Sequence, residues 1–540
     1  MLFHEAVARG LADHGVETVF GVIGDANLYL MDSFQRHAGG SYRSCANEAG
    51  AVLAANGYAR TSGRLGVATV THGPALTNTL TALVESVRDR TPLLLVAGDT
   101  AVTDRENVQN IAQRDVVLPT GAGFEQVRAP ETALDDLARA VGRALLERRP
   151  VVLNVPVEFQ WAEVEHRRVE RACTAPQSVA PDPAALDAAV GIVATARRPV
   201  VLAGRGAASP QARTALLRLA ERIGAPVATT LRAKDLFRGE RFDLGICGTL
   251  AHEVALQTLT DADCVVAFGA GLNKWTTAEG SLLAGKRLVH VDVERASINR
   301  HAVADAPVVG DAVAVADEIV DWLDQAQAKP TGFASQALAD RLAERTYEHF
   351  TDTSGDGAVD LRTAMDRIDR SFPADRTLVL DGGRFIFSAF TRLHCPKPSA
   401  YVHTVNFGSI GLGMGNAIGA AFGAHGRPVL LVTGDGGFML GGLAEFGTAV
   451  RHGVDLVVAV FNDRAYGAEH IQFRDRNMDP AISTFDWPDL APVADALGGR
   501  GYTVRTPAEL DAALATLTDR DRPVLLDIRI DPDRVPMPGH

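Results

Sequence analysis

PVLLVTGDGGFMLGGLAEFGTAVRHGVDLVVAVFNDRAYG, residues 428–467, is the stretch that decides the fold. Val429–Val432 is an apolar run of strand length, and it ends abruptly in Thr433-Gly434-Asp435-Gly436-Gly437. Leu443–His452 has helical spacing, and a second apolar run, Leu456–Phe461, ends in Asn462-Asp463. The pattern predicts a βαβ unit with acidic or amide residues at the carboxyl ends of both strands. In an open parallel sheet that edge is where ligands bind. Glycines there let the backbone approach a diphosphate closely. An Asp on one strand and an Asn or Asp on the next offer hard oxygen ligands, and Mg²⁺ typically takes one or two carboxylates and shares its shell with phosphates. Asp435 with Asp463, or with Asn462, supplies that pair, and a backbone carbonyl near Ala465 is a further donor.

Gly434-Asp435-Gly436, then 25 residues, then Asn462-Asp463 resembles the diphosphate motif of thiamine diphosphate (ThDP) enzymes, in which GDG is followed some two dozen residues later by Asn-Asn. The resemblance implies ThDP and Mg²⁺ as cofactors, held by Gly434, Asp435, Gly436, Gly437, Asn462 and Asp463. It departs from the family at one place: the second Asn, the usual metal ligand, is replaced by Asp463, and Asn462 stays open as the alternative.

Composition sets the bounds. A chain of 540 residues is too long for one core and predicts about three domains. A net charge of −13 argues against nucleic acid or an anionic membrane as partner. The five cysteines, at 45, 173, 247, 264 and 395, show no CxxC spacing and suggest a reducing compartment with packing roles. The start, MLFHEAVARGLADHG, is amphipathic and charged early, unlike a signal peptide, and no apolar run reaches transmembrane length. A cytoplasmic protein without a membrane partner is expected.

The first block, residues 1–165, alternates strand and helix signals. Phe20–Ile23 runs into a turn through Gly24-Asp25-Ala26-Asn27, and Ala46–Arg60 is a small-residue helix with Glu48 in its first turn. Gly66–Val70 and Pro92–Gly98 are strands, with Thr71-His72-Gly73-Pro74 opening a helix between them. "FGVIGDANLYLMD" and "NEAGAVLAANGYAR" resemble the pyrimidine-binding domain of the acetolactate synthase, pyruvate (2-oxo acid) decarboxylase and benzaldehyde lyase branch of the family. That resemblance gives Glu48 the role of bonding the aminopyrimidine and so activating the cofactor. The chemistry calls for a buried carboxylate with a raised pKa.

Residues 166–184 lose periodicity and read as a linker, and 185–325 form a second α/β block. Its Gly204-x-Gly206 and Gly269-x-Gly271 fall short of a complete dinucleotide fingerprint. The block resembles the family's central, Rossmann-like domain, which holds FAD in some members and nothing in many; FAD is not expected here. The third block, 357–540, carries the opening stretch and, before it, Gly408-Ser409-Ile410-Gly411. By resemblance Ile410 wedges between the two rings of the cofactor and the carbonyl of Gly408 meets its amino group. The fold class is therefore α/β, with three doubly wound parallel-sheet domains in the order pyrimidine-binding, central, diphosphate-binding.

The resemblance leaves the reaction open between decarboxylation of a 2-oxo acid and carboligation of the resulting enamine to a carbonyl acceptor. Asp25 and Glu469 match carboxylates of the pyruvate decarboxylase type; the paired histidines of those enzymes are missing, and His72 and His470 are the candidates to move protons instead. In Arg105–Gln113, Gln109 falls near a pocket glutamine of carboligases. The substrate implied is a small 2-oxo acid or hydroxyketone. A homo-oligomer, a dimer or dimer of dimers, is implied too, with Glu48 and Asp435 meeting between subunits. The competing readings are a flavin-using ThDP oxidoreductase and a non-catalytic ThDP-binding relative.

Overall fold

The computed structural model describes residues 1–169, 177–345 and 349–535. Part of the expected linker, and Cys173 with it, lies outside the described residues. Three six-stranded sheets make up the framework. The first contains β1 (Thr18–Gly21), β2 (Ser41–Ser44), β3 (Gly66–Val70), β4 (Leu93–Asp99), β5 (Gly123–Gln126) and β6 (Pro150–Pro156), in the order β2-β1-β3-β4-β6-β5. The second has β7 (Pro199–Ala203), β8 (Val227–Thr229), β9 (Asp243–Ile246), β10 (Cys264–Phe268), β11 (Arg287–Asp292) and β12 (Ala306–Val309), in the order β12-β11-β10-β7-β8-β9. The third has β13 (Thr377–Leu380), β14 (Tyr401–His403), β15 (Val429–Gly434), β16 (Leu456–Asn462), β17 (Arg500–Val504) and β18 (Val524–Arg529), in the order β14-β13-β15-β16-β18-β17.

The first and third sheets thus share one topology, strand for strand. In both, the chain moves outward from the first strand and then crosses back, which creates a switch point between β1 and β3 and again between β13 and β15. Crevices at such points are where open α/β sheets take ligands. Central strands are continuous apolar runs because both faces are covered: β3, β13 and β16 are buried along their whole length.

The described residues before 170, 353–386 and 402–535 form one compact unit holding the first and third sheets. Within it, helix Glu48–Ser62 packs against helix Gly413–Gly423. The helices run parallel from a common end: Gly415 sits against Gly50, Gly419 against Ala54, and Gly423 against Tyr58. A Cβ at Gly419 would collide with the Ala54 carbonyl, so only glycine permits this approach. At the centre of the contact Asn56 Nδ2 donates to Asn416 Oδ1 at 2.8 Å, both side chains buried. Leu412, just ahead of the second helix, joins the core of the first sheet with Phe20, Leu53 and Leu95.

The central sheet belongs to a second compact unit, which also takes in residues 387–401. Within this unit a buried ion cluster ties residues 393–395 to Lys234 and Asp235. Lys234 Nζ donates to the Leu393 carbonyl at 2.7 Å and to Asp235 Oδ2 at 2.9 Å, while Asp235 also takes His394 Nδ1 at 3.0 Å and the Cys395 N–H at 2.9 Å. Although burial pushes the other way, the charges of Lys234 and His394 hold the Asp235 carboxyl well below the usual range. The two GxG turns face each other here. A Cβ on Gly204 would strike the Gly269 carbonyl, and one on Gly206 would strike the Gly269 Cα, so close packing between strand ends explains these glycines.

Cys45, Cys247, Cys264 and Cys395 are buried free thiols, and burial pushes the last three up to about 12. Among the described residues no helix is long and apolar enough to cross a membrane.

Candidate active site

The carboxyl ends of β13, β15 and β16 bring three acidic side chains to one edge. Asp435 follows β15 and is buried; Asp463 follows β16, and the two carboxyl groups hydrogen-bond to each other. Burial raises both pKa values, Asp435 to about 6, and the Asp435 charge raises Asp463 further. Two carboxyls so close share a proton unless a cation stands between them. Asp463 Oδ1 also accepts the Ala465 N–H at 3.0 Å, which turns the chain after β16.

Asn462, the open alternative, is committed elsewhere. Its Nδ2 donates to Asp527 Oδ1 at 2.7 Å and its Oδ1 accepts the Arg464 N–H at 3.2 Å, so its amide serves the β16–β18 pairing and the following turn. Among the described residues no group of three or more His, Cys, Asp or Glu converges as a metal site. A cation held by the Asp435–Asp463 pair would complete its shell from backbone oxygen, such as the Ala465 carbonyl, and from phosphate, as Mg²⁺ commonly does. The pair, Asp435 buried and Asp463 half-buried, with only the Arg384 charge acting on Asp463 against their mutual repulsion, fits such an ion.

Asp381, which the sequence reading passed over, organises the loops around this edge. It follows β13 and is buried. Its Oδ2 accepts the Gly411 N–H and the Thr433 hydroxyl, each at 3.1 Å, and its Oδ1 accepts the N–H groups of Gly382 at 2.8 Å and Leu412 at 3.3 Å. One carboxyl thereby ties together the loop after β13, the Gly408–Leu412 loop and the end of β15. Burial raises its pKa against these hydrogen bonds. Gly411, at φ +80°, sits over the Gly437 carbonyl, so the 408–412 loop lies on the turn that begins at Gly434. Ile410 packs near Gly382, and Gly408, at φ +82°, is exposed. Gly436 meets the ring of Tyr466. The signal for Asp381 was present: "TLVLDGG" repeats the logic of "LLVTGDGG", an apolar run ending in Asp and glycines.

The first sheet contributes its own strand-end group. Glu48 lies in the first turn of its helix, beyond the N-cap Asn47, whose Oδ1 accepts the Gly50 N–H at 2.6 Å. Its Oε2 accepts from Asn78 Nδ2 at 3.0 Å. Within one chain Glu48 is half-buried rather than buried, because the helix start projects beyond the core that covers Gly50 to Ala59. At the β1/β3 switch point Asp25 and His72 come together: Asp25 Oδ1 accepts the Thr71 hydroxyl at 2.8 Å, and His72 Nδ1 stands 3.9 Å from the same oxygen. His72 is buried, Asp25 is exposed, and His72 Nε2 has no hydrogen-bond partner among the described residues.

Gln109 lies on the loop over this corner, its backbone against Gly73. The glutamine wired into the fold is instead Gln113, whose Oε1 accepts the Gly73 N–H at 2.8 Å and whose Nε2 donates to the Gly98 carbonyl at 2.8 Å. Glu469 is exposed on helix Gly467–Asp475. His470, its neighbour, is buried and bonds Asp533 Oδ1 through Nε2 at 3.0 Å, facing the segment after β18. The end of the stretch Arg474–Trp487 packs onto the site: Phe485 N–H donates to the Arg464 carbonyl at 2.8 Å, and Trp487 Nε1 donates to Asp435 Oδ2 at 2.8 Å.

Comparison with known proteins follows this division of the chain. Residues 1–118 match the family description "Thiamine pyrophosphate enzyme, N-terminal TPP binding domain", 186–319 the central domain and 381–528 the C-terminal TPP binding domain. A protein described as a probable acetolactate synthase large subunit, from Methanocaldococcus jannaschii, is 26% identical over 99% of this chain and 93% of its own length. A protein described as a probable 2-ketoarginine decarboxylase, from Pseudomonas aeruginosa, is 29% identical over 94% of this chain and 89% of its own. Sulfoacetaldehyde acetyltransferase of Castellaniella defragrans is 27% identical, with 95% and 90% covered.

Proposed function

The chain belongs to the thiamine pyrophosphate enzyme family, and from that premise we propose that it is a Mg²⁺-dependent enzyme that decarboxylates a 2-oxo acid, with transfer of the retained carbons to a carbonyl acceptor as the synthase-type outcome. The observation that carries the proposal is the Asp435–Asp463 carboxyl pair at the ends of β15 and β16, beside a glycine turn and next to the β13/β15 switch point. It has the charge and oxygen chemistry of a Mg²⁺–diphosphate site, and the alternative ligand Asn462 is spent on Asp527 and Arg464. When bound, ThDP supplies an electron sink for carbanion chemistry.

The chain's own residues divide the remaining work. Asp435 and Asp463, with the Ala465 carbonyl, hold the ion, and the turn at Gly434, Gly436 and Gly437 admits the diphosphate. Gly408 and Ile410 orient the ring system. Glu48 holds a proton at the aminopyrimidine nitrogen, and Asn78 fixes the carboxylate that does so. Asp25 and His72 serve proton transfer at the substrate; the unpartnered, buried His72 Nε2 favours this role. Gln109 lies on the loop beside Gly73, and Glu469 and His470 are further candidates for proton transfer, with His470 restrained by Asp533. The protein works as a homo-oligomer in the cytoplasm, with active sites between subunits.

The test is product analysis of the protein supplied with ThDP, Mg²⁺ and a 2-oxo acid, following CO₂ and carbon products together. Pyruvate giving acetolactate supports the synthase outcome; aldehyde in step with CO₂ supports the decarboxylase. The 2-oxo acid of arginine belongs in the panel because one relative's name carries it. If no 2-oxo acid in a panel of small, branched, aromatic and basic compounds is consumed in a ThDP- and Mg²⁺-dependent way, the proposal fails.

A further inference from the structure

The indole of Trp487 supplies a fixed donor to Asp435. Its Nε1–H points at Asp435 Oδ2 at 2.8 Å. Trp487 stacks on Phe485 with centroids 4.6 Å apart and planes at 18°, and Phe485 meets Tyr466 edge-on at 4.7 Å and 74°. Two backbone hydrogen bonds, Tyr466 N–H to the Ser483 carbonyl and Phe485 N–H to the Arg464 carbonyl, pin the Trp487 segment to the turn after Asp463. Tyr466 in turn lies against Gly436, beside Asp435. The donor is therefore built into the same body as both acidic side chains.

The Asp435 carboxyl also bonds the Gly436 N–H and the Asp463 carboxyl; with Oδ2 facing a fixed indole N–H, it meets a cation more readily through its other oxygen than through both. Mg²⁺ keeps octahedral geometry with short, single-oxygen contacts, whereas Ca²⁺ takes 6–8 oxygens and readily uses both oxygens of a carboxylate. Hydrogen-bond partners behind a metal ligand orient it, and losing one typically weakens binding about 10–100-fold.

We propose that Trp487 is a positioning residue that restricts Asp435 to one coordinating oxygen and thereby biases the site towards Mg²⁺ over Ca²⁺. The inference rests on the reading of Asp435 and Asp463 as the metal pair.

The experiment is calorimetric titration of the full-length protein, in the presence of ThDP, with Mg²⁺ and separately with Ca²⁺. Trp487→Phe keeps an aromatic ring on Phe485 and loses the donor. Its Mg²⁺ affinity is expected to fall roughly 10-fold or more while Ca²⁺ affinity holds or rises. Trp487→His restores a ring N–H and is expected to recover a large part of the Mg²⁺ preference. An equal fall for both ions, no change for either, or a His variant indistinguishable from Phe overturns the proposal. Asp435→Ala separates the two levels: if it still binds both ions, the metal-pair reading fails, whatever Trp487 does. Thermal unfolding of the cofactor-free variants shows that the ratio is read on folded protein.

Discussion

Glu445 reaches from the helix after the Gly434–Gly437 turn to the start of the Glu48 helix, where its Oε1 accepts the Asn47 N–H at 3.0 Å and the Ala46 N–H at 3.1 Å. A buried carboxylate at a helix N-terminus satisfies orphan donors and meets the positive end of the helix dipole. The element carrying Glu48 is thus positioned by a residue of the third sheet's domain, 398 residues away in sequence from Asn47.

Gly50 makes that contact sterically possible, since a Cβ there would overlap Glu445 Oε1. Gly50→Ala is expected to displace Glu445 and to destabilise the protein by about 1–3 kcal/mol, read by urea unfolding. Glu445→Gln keeps the shape and loses the charge, and a smaller loss, about 1 kcal/mol, is expected. Equal stability of Gly50→Ala and the parent would show that the contact does not bear on the fold.

Asp381→Ala strands the Gly411 and Leu412 N–H groups and the Thr433 hydroxyl. Unsatisfied buried donors cost about 1–3 kcal/mol each, so both melting temperature and ThDP affinity are expected to drop. Asp381→Asn, which keeps an acceptor oxygen, is expected to fall between. Unchanged ThDP binding in the Ala variant would remove Asp381 from the cofactor loop.

Glu48→Gln is expected to abolish turnover while ThDP still binds, measured by product formation and by calorimetry. Mixing it with Asp435→Ala subunits tests where the site lies. If sites form between subunits, mixed oligomers contain some sites with both residues intact, and activity returns. Continued inactivity after subunit exchange would place both residues in one chain's own site.

Asp463→Ala is expected to lose Mg²⁺-dependent ThDP binding outright. Asn462→Ala leaves Asp527 without its 2.7 Å donor, so it is expected to lower stability and keep the ion. The reverse pattern in a metal titration would exchange the two roles.

His252 caps helix Glu253–Asp261 through Nδ1, which accepts the Ala255 N–H at 3.1 Å. Burial, with the nearby Arg345 charge, lowers its pKa from 6.5 to about 4. Between those values the unfolded chain binds a proton that the folded chain refuses, so stability rises with pH there and is lost as pH falls below about 6.5. The loss at pH 5 is of the order of 2 kcal/mol. His252→Asn retains a capping acceptor and is expected to flatten this acid limb in urea melts at pH 7.5 and 5; an unchanged limb would assign it to other groups.

Local pattern was enough for the three α/β blocks and the chemistry of their strand ends. Runs such as Val429–Val432 and Leu456–Phe461 bury both faces, and the glycines and acids that stop them mark the ligand edge. The Asp435 turn, Asp463, Glu48 and the Ile410 loop could be singled out as candidates for that reason, each being written in a few consecutive residues. What the sequence could not give is which distant groups these residues meet. The matching strand orders of the first and third sheets follow from crossovers between strands far apart in the chain. Asp381, Glu445 and Trp487 acquire their roles from partners 30, 398 and 52 residues away. The bond from Asn462 to Asp527, which favours Asp463 as the proposed metal ligand, is with a neighbour brought close only through β18. Short-range periodicity reports which face is buried, whereas a hydrogen bond across packed elements depends on where the folded backbone brings its two ends, and that only the tertiary structure decides.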